Sequence, residues 1–140
     1  MKKIQEIWLR QVDVMKLYDW VDENEPNEAC ALLVGEIKQD IAFVEEIILT
    51  PNTSKSPVAF QIDPELLLKI IEDAMERKKM LVSIFHSHPL GPYPSGIDIP
   101  YMRYNLGTVW LIKGVPKTLP MRGFQWFEDE IIEVKVKITR

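Results

Sequence analysis

Both histidines of this 140-residue chain lie in the short stretch His86-Ser87-His88-Pro89. Because side chains alternate across a strand, the two imidazoles would project from one face while Ser87 points to the other. Pro89 cannot donate to a sheet, so the pair would lie where a strand meets a loop, and Asp98 could return to it through that loop. Two histidines and one carboxylate are a suitable ligand set for a catalytic zinc ion, which keeps its fourth position for water.

A zinc ion of this kind supports hydrolysis, since it lowers the pKa of bound water to about 7 and polarises a carbonyl group. The water also needs a carboxylate base held in a partly dry environment. Glu28 is the preferred glutamate because it directly precedes the apolar run ACALLVG, whereas most others lie in charged surroundings. The pattern therefore predicts a hydrolytic metal site formed by His86, His88, Asp98 and Glu28.

The same residues also have simpler interpretations. An isolated H-x-H pattern is weak evidence for a metal. Ser95 and Asp98 match the S-x-x-D start of a helix, where both would only satisfy backbone groups. Glu28 would then be an ordinary exposed loop residue, and Cys30 a small buried apolar group. We favour the metal site because one site accounts for the whole combination.

The first half of the chain contains elements that would build a sheet around this site. Residues 4–12 alternate like a strand, and a helix with Asp13 as its N-cap would follow. The apolar run ACALLVG and the β-branched residues 41–49 are both typical of strands. A second helix is predicted after Asp63 and Pro64, which suit an N-cap and a first helical turn.

The second half continues the mixture of strands and helices. The apolar run MLVSIF predicts a buried strand that leads directly into the histidines, and residues 95–104 predict a short helix. Three further strands are expected at TVWLIKG, GFQWF and IIEVKVKI. This order of elements predicts an α/β fold, in which a sheet carries a helix on each side. Since no repeat or linker-like segment interrupts the pattern, residues 1–140 are expected to form one domain.

Composition excludes several classes of function. The net charge of -4 disfavours broad attraction to nucleic acid or to anionic lipid. No apolar run approaches the length needed to cross a bilayer, and polar residues interrupt any N-terminal signal sequence. The single cysteine cannot form an internal disulfide, which fits a reducing compartment. We therefore expect a cytoplasmic protein without nucleic-acid or membrane partners.

The combined motifs resemble those of the JAMM (MPN-plus) metalloproteases. That pattern has a glutamate before a C-G-L-L-x-G-like strand, then H-[ST]-H-P, a short loop and S-x-x-D. Here the corresponding segments are NEACALLVG, HSHP and SGID. The resemblance covers most of the chain and is closest to the small, free-standing archaeal and bacterial members. It implies an α/β fold with a mixed sheet flanked by helices, related to the cytidine deaminases.

The resemblance also implies a role for each motif residue. His86, His88 and Asp98 correspond to the ligands of one zinc ion per chain. Glu28 corresponds to the general base, and Ser95 to the hydrogen-bond donor that stabilises the oxyanion. Two departures from the pattern are a loop between His88 and Ser95 that is one residue shorter, and an alanine that replaces the glycine after the cysteine.

The activity implied is hydrolysis of the amide that joins the C-terminal glycine of a ubiquitin-like modifier to a lysine of its target. Such modifiers and their conjugates would be the partners, and the modifier's tail is expected to dock near Asn52 and Tyr93. Two alternatives stay open: release of a C-terminal amino acid from a sulfur-carrier protein, and a non-catalytic MPN module that scaffolds a complex. The sequence also leaves homo-oligomer formation open.

Overall fold

The computed structural model describes residues 2–104 and 107–140. Seven strands and three helices are formed by these residues. In chain order they are β1 (Glu6–Arg10), α1 (Gln11–Asn24), β2 (Cys30–Lys38), β3 (Ile41–Thr50), α2 (Pro64–Glu76), β4 (Met80–Ser87), α3 (Asp98–Tyr104), β5 (Val109–Lys113), β6 (Arg122–Phe127) and β7 (Glu130–Thr139). None of the helices in these residues is long and apolar enough to cross a membrane.

The strands form one mixed sheet in the order β1-β3-β2-β4-β5-β6-β7, and the sheet closes because β7 also pairs with β1. β1 runs parallel to both of its neighbours, and β4 runs parallel to β5, while the remaining pairs are antiparallel. A mixed sheet with helices was expected, but a closed barrel was not. Closure is possible because β7 uses its first half to pair with β6 and its second half to pair with β1.

Helices cover both faces of the sheet, as the sequence predicts. Alternate residues of β2, β4 and β5 enter two separate apolar clusters, which therefore lie on opposite faces. Val14 and Leu17 of α1 pack into the first cluster. Ile70 and Ala74 of α2, together with Met102 of α3, pack into the second. The second face is the one that leads to the histidines.

The start of α2 is confirmed and the start of α1 is a correction. Asp63 accepts a hydrogen bond from the backbone N–H of Glu65 at 3.2 Å, so it caps α2 as expected. Residues 11 and 12, predicted as strand, instead begin α1, and the residue at its N-cap is Arg10. Asp13 lies inside the first turn, where its buried carboxylate forms an ion pair with the guanidinium of Arg10 at 2.9 Å.

Gly114 lets the short loop after the histidines close against the sheet. It follows β5 and is buried, and a Cβ at this position would collide with the backbone of Leu90, Gly91 and Pro92. The backbone N–H of Val115 donates to the carbonyl of Leu90 at 2.8 Å, which fixes the loop in that contact. The loop that is one residue shorter than the family pattern therefore packs directly on a residue without a side chain.

Replacing this glycine should loosen the loop beside the histidines. We expect Gly114→Ala to destabilise the protein by about 1–3 kcal/mol, because the added methyl group meets backbone atoms that cannot rotate away. Denaturant unfolding measures the difference. Gly96→Ala is the matched control, since a Cβ there meets no atom within 4 Å. Equal stability of the two variants would contradict the close packing of the loop.

Candidate metal centre

The two histidines meet at the end of β4 on the second face of the sheet. β4 is antiparallel to β2, with Cys30 opposite His86, and parallel to β5, with Ile112 opposite His86. Both imidazoles are buried, and their Nε2 atoms lie 3.0 Å apart. Strand alternation thus brings together the two side chains that the spacing predicts, with the intervening Ser87 directed elsewhere.

Asp98 joins the histidine pair from the first residue of α3. Its Oδ2 lies 2.8 Å from Nε2 of His88 and 3.1 Å from Nε2 of His86. The same oxygen accepts the backbone N–H of Ser95 at 2.9 Å, and Ser95 Oγ accepts the backbone N–H of Asp98 at 3.2 Å. The reciprocal cap that was the simpler interpretation is therefore present, and it also aims Asp98 at the histidines.

Glu28 approaches the pair from the segment just before β2 and is not the exposed loop residue of the simpler interpretation. It is only 3% exposed, and its Oε1 has no hydrogen-bond partner among the described residues. One ligand atom from each of Glu28, His86 and His88 lies within 4.8 Å of the others. A buried carboxylate oxygen without a partner costs free energy. The position of this oxygen beside two imidazoles is therefore suited to bind a metal ion, or a water molecule that a metal ion holds.

The two carboxylates have opposite electrostatic environments. Burial raises the pKa of Glu28 to about 8, although the nearby His88 opposes the rise. Burial also acts to raise the pKa of Asp98, but the hydrogen bonds with His86 and His88 outweigh it and hold that pKa well below its usual range. Asp98 is therefore suited to be a permanently charged ligand, and Glu28 to exchange a proton near neutral pH.

Aromatic rings fix the orientation of His86. The ring of Phe60 stacks on it with centroids 4.7 Å apart, and Trp110 meets it edge-on at 5.7 Å. Burial lowers the pKa of His86, which favours the neutral form that binds metals. For His88 burial also acts to lower the pKa, but the hydrogen bond with Asp98 outweighs it and raises the value. Phe60 is not among the residues that the sequence pattern singles out, because a phenylalanine distant in sequence gives no signal of its contact with His86.

Ser87 connects the end of β4 to the segment that leads from Glu28 into β2. The backbone N–H of Ala29 donates to Ser87 Oγ at 2.9 Å, and the backbone N–H of Ser87 donates to the carbonyl of Ala29 at 3.0 Å. Glu28 directly precedes Ala29, so these two hydrogen bonds set the position of Glu28 relative to His86 and His88. This role of Ser87 could not be predicted, since a serine between two histidines gives no signal of its partner.

Asn52 and Tyr93 occupy different environments from the metal centre. The buried Asn52 side chain donates to the carbonyl of Glu28 at 2.9 Å and also accepts backbone N–H groups of its own loop. Asn52 therefore holds the loop beside Glu28 in place. The predicted contact between this loop and a substrate stays a prediction. Tyr93 is 53% exposed and lies beside Arg122, whose guanidinium is 5.2 Å from the ring centroid. Its contact with substrate also stays a prediction.

Known proteins are similar to this chain in sequence and in fold. The family described as prokaryotic homologs of the JAB domain matches residues 12–127. A desampylase of Pyrococcus furiosus is 37% identical over 115 residues, which cover 79% of this chain and 76% of the relative. A probable TtuB-protein conjugate cleaving protease of Thermus thermophilus is 39% identical over 84 residues, which cover 58% of this chain and 53% of that protein. The solution structure of protein DSY2949 from Desulfitobacterium hafniense has a TM-score of 0.82 at 27% identity, covering 96% of this chain and 93% of that one.

Removing the Ser87 hydroxyl should disturb Glu28 while leaving the histidines in place. We expect Ser87→Ala to cost about 1–3 kcal/mol, because the buried N–H of Ala29 loses its acceptor. Ser83→Ala is the matched control on the same strand, since Ser83 Oγ is buried without a partner among the described residues and its loss breaks no bond. Urea unfolding gives the free energy of unfolding of both variants, and equal losses in the two would contradict the role of the Ser87 hydroxyl as acceptor.

Glu28 should make the metal-free protein less stable as the pH rises. Its pKa is about 8 in the folded chain against an ordinary value of 4.5, so the folded state binds the proton more tightly. The stability from the protonated form is present below the ordinary pKa and is lost as the pH rises toward the folded value. Unfolding with a chelator from about pH 5 to about pH 9 should show a decline on the order of a few kcal/mol that Glu28→Gln lacks. An equally steep decline in that variant would contradict this assignment.

Proposed function

The chain belongs to the family of prokaryotic homologs of the JAB domain, and on that premise we propose that it is a zinc-dependent isopeptidase. It would remove ubiquitin-like modifiers from target lysines by cleaving after the modifier's C-terminal glycine. The main support is the convergence of His86, His88 and Asp98 beside the buried carboxylate of Glu28. Family membership also supports the cytidine-deaminase-like architecture as part of this proposal.

His86, His88 and Asp98 are the residues that would hold one zinc ion. Their two Nε2 atoms and one Oδ2 atom already face a common point, and two nitrogens with one carboxylate are a suitable set for a catalytic zinc site. When bound, zinc would polarise the scissile carbonyl and make water an effective nucleophile at neutral pH. Phe60 keeps the His86 ring in place, so the donor geometry is set before any substrate arrives.

Glu28 would act as the proton carrier of the reaction. Its carboxylate takes one proton as the water oxygen bonds to the carbonyl carbon. It then delivers that proton to the lysine nitrogen as the carbon–nitrogen bond breaks, which leaves a modifier carboxylic acid and a free amine. The second proton of the water passes from that acid to the amine, so the final products are a carboxylate and an ammonium group. Burial raises the pKa of Glu28 in the metal-free protein, and the charge of a bound zinc ion would act in the opposite direction, toward a carboxylate that can accept a proton at neutral pH.

Ser95 would stabilise the negative charge that develops on the carbonyl oxygen. Ser95 is half-buried, and its Oγ uses a lone pair to accept the backbone N–H of Asp98. The hydroxyl proton remains able to donate toward substrate, because a serine oxygen can accept and donate at once. A donor at this position contributes about 3–4 kcal/mol to the transition state in other acyl-transfer enzymes.

The names of the relatives support the substrate class. Two of them, from Pyrococcus furiosus and Haloferax volcanii, are called desampylases, and the third is named for cleavage of TtuB-protein conjugates. Under the proposal, the modifier's tail would dock beside the loop of residues 52–57 and near Tyr93. We also propose that the protein is cytoplasmic, the compartment in which it would meet such conjugates. Its net charge of -4 would not attract nucleic acid.

Replacing Glu28 by its amide isostere tests the proposal directly. We expect Glu28→Gln to keep one zinc per chain and to lower kcat/KM on a modifier–lysine conjugate by about 10²–10⁴-fold, because proton transfer is lost while binding is kept. Hydrolysis is followed by mass spectrometry, with and without a chelator. Glu76→Gln, on the exposed end of α2, is the control.

Other outcomes identify the alternatives. Full activity in Glu28→Gln would exclude Glu28 as the base, and loss of zinc would make it a ligand. If the wild-type protein instead released only a terminal amino acid from a sulfur-carrier protein, that second hydrolase function would replace the proposal. A zinc-loaded protein that cleaved none of these substrates would be the non-catalytic scaffold module.

A further inference from the structure

A cavity of about 510 Å³ opens beside the metal centre, between α1 and the loop that follows β5. Glu28 and His88 are the two predicted site residues that line it among the described residues, and Ser95 and Asp98 do not. The metal centre therefore has two distinct sides. The oxyanion donor proposed above lies on the Asp98 side, and the cavity lies on the Glu28 side.

The proposed chemistry gives the cavity side a direction along the substrate. A group that delivers a proton must come within hydrogen-bond reach of the atom that receives it, which is about 3 Å. The leaving nitrogen must therefore lie next to the Glu28 carboxylate. The atoms attached to that nitrogen would continue into the space that begins at Glu28, and this space is the cavity.

The walls of the cavity suit an aliphatic chain. Tyr18 and Val21 come from α1, Val115 comes from the loop after β5, and prolines contribute further apolar surface: Pro26, Pro57 and Pro89. The side chain of a lysine has four methylene groups before its nitrogen, so an apolar cavity gains free energy from each methylene that it buries. A leaving group with a short stem would reach less of this surface.

The charges around the cavity disfavour a leaving group with a free carboxylate. Lys117 Nζ lies 3.0 Å from Asp22 and 2.7 Å from Glu25, so two carboxylates already share this ammonium. Lys113 Nζ donates to the carbonyls of Lys117 and Leu119 and lies 4.7 Å from the Tyr18 ring centroid. Both cations that line the cavity in the described part of the chain are therefore engaged, which leaves neither ready to pair with the carboxylate of a released terminal amino acid.

We propose that this cavity binds the lysine side chain on the leaving-group side of the isopeptide bond, and that it selects a long aliphatic amine over an α-linked terminal amino acid. The inference rests on the proposed function for the direction of the substrate. Its own content is the occupant of the cavity and the residues that select it. Val115 is the residue to vary, because it lines the cavity and is 41% exposed, so a larger side chain can be placed there without disrupting the core.

The first test measures binding and needs no catalysis. Zinc-loaded protein labelled with nitrogen-15 is titrated with Nα-acetyl-lysine methylamide or with free alanine, and backbone shifts are followed. We expect the lysine compound to shift the signals of Val21 and Val115, and alanine to shift them little. The shifts should be lost in Val115→Trp and kept in Leu119→Trp, which changes a residue of the same loop that is 44% exposed and lies outside the cavity lining. Absence of lysine-dependent shifts would overturn the inference.

The second test measures selectivity on a conjugate of TtuB, used as the probe. TtuB is joined through its C-terminal carboxyl group to the ε-amine of Nα-acetyl-lysine amide, to a diaminobutyrate analogue with two fewer methylenes, or to methylamine. We expect kcat/KM to fall on the order of tenfold with the shorter stem. Val115→Trp should lower kcat/KM on the order of tenfold for the lysine conjugate and leave the methylamide within about twofold, while Leu119→Trp changes neither.

The two proposals fail in different ways. Wild-type protein that cleaves the conjugates, combined with equal losses on the lysine conjugate and the methylamide in Val115→Trp, would overturn the cavity inference and leave the isopeptidase proposal standing. Lysine-dependent shifts in a protein that cleaves no conjugate would support the cavity as a lysine-binding site and overturn the isopeptidase proposal.

Discussion

The antiparallel pairing of β2 with β4 is the constraint on which the candidate centre depends. Because Cys30 lies opposite His86, Glu28, two positions before β2, reaches the end of β4. Ser87 adds a side-chain hydrogen bond to Ala29 at the last step of this ladder. A slip of one residue would send Glu28 to the other face of the sheet and separate it from both imidazoles. Packing on both faces of β2 opposes such a slip, because it would exchange the β2 side chains between the two apolar clusters and place each against neighbours of the wrong shape.

The same low-dielectric setting gives the two carboxylates different properties. Asp98 faces two imidazoles and a backbone N–H, all of which stabilise its charge. Glu28 is equally buried but has an oxygen without a partner in the described part of the chain, so burial dominates. One carboxylate is thus suited to hold a cation and the other to move a proton. The separation follows from their partners, since both are ordinary carboxylic acids.

Local pattern was enough to predict the parts of this structure that depend on local rules. Strand alternation predicted that His86 and His88 converge, and capping chemistry predicted the start of α2 at Asp63. The closed barrel could not be predicted in this way, because β7 changes partner along its length and no local signal marks that change. The amide of Asn52 and the hydroxyl of Ser87 bind backbone groups that are distant in sequence, so their roles depended on the tertiary structure. Asp13 shows the same limit, since α1 begins three residues earlier than its capping preference predicts and its carboxylate pairs with Arg10.

The identity of the third protein ligand decides between the two carboxylates. Asp98 and Glu28 both lie beside the histidines, and we assign the metal to Asp98 in the proposed function. Anomalous diffraction at the zinc absorption edge, from crystals of the zinc-loaded protein, locates the ion independently of any activity. We expect one zinc peak per chain, at about 2.0–2.2 Å from Nε2 of His86, Nε2 of His88 and Oδ2 of Asp98. Glu28 should lie outside bonding distance of the ion. A peak bonded to Glu28 in place of Asp98, or no peak at the histidines, would contradict this assignment.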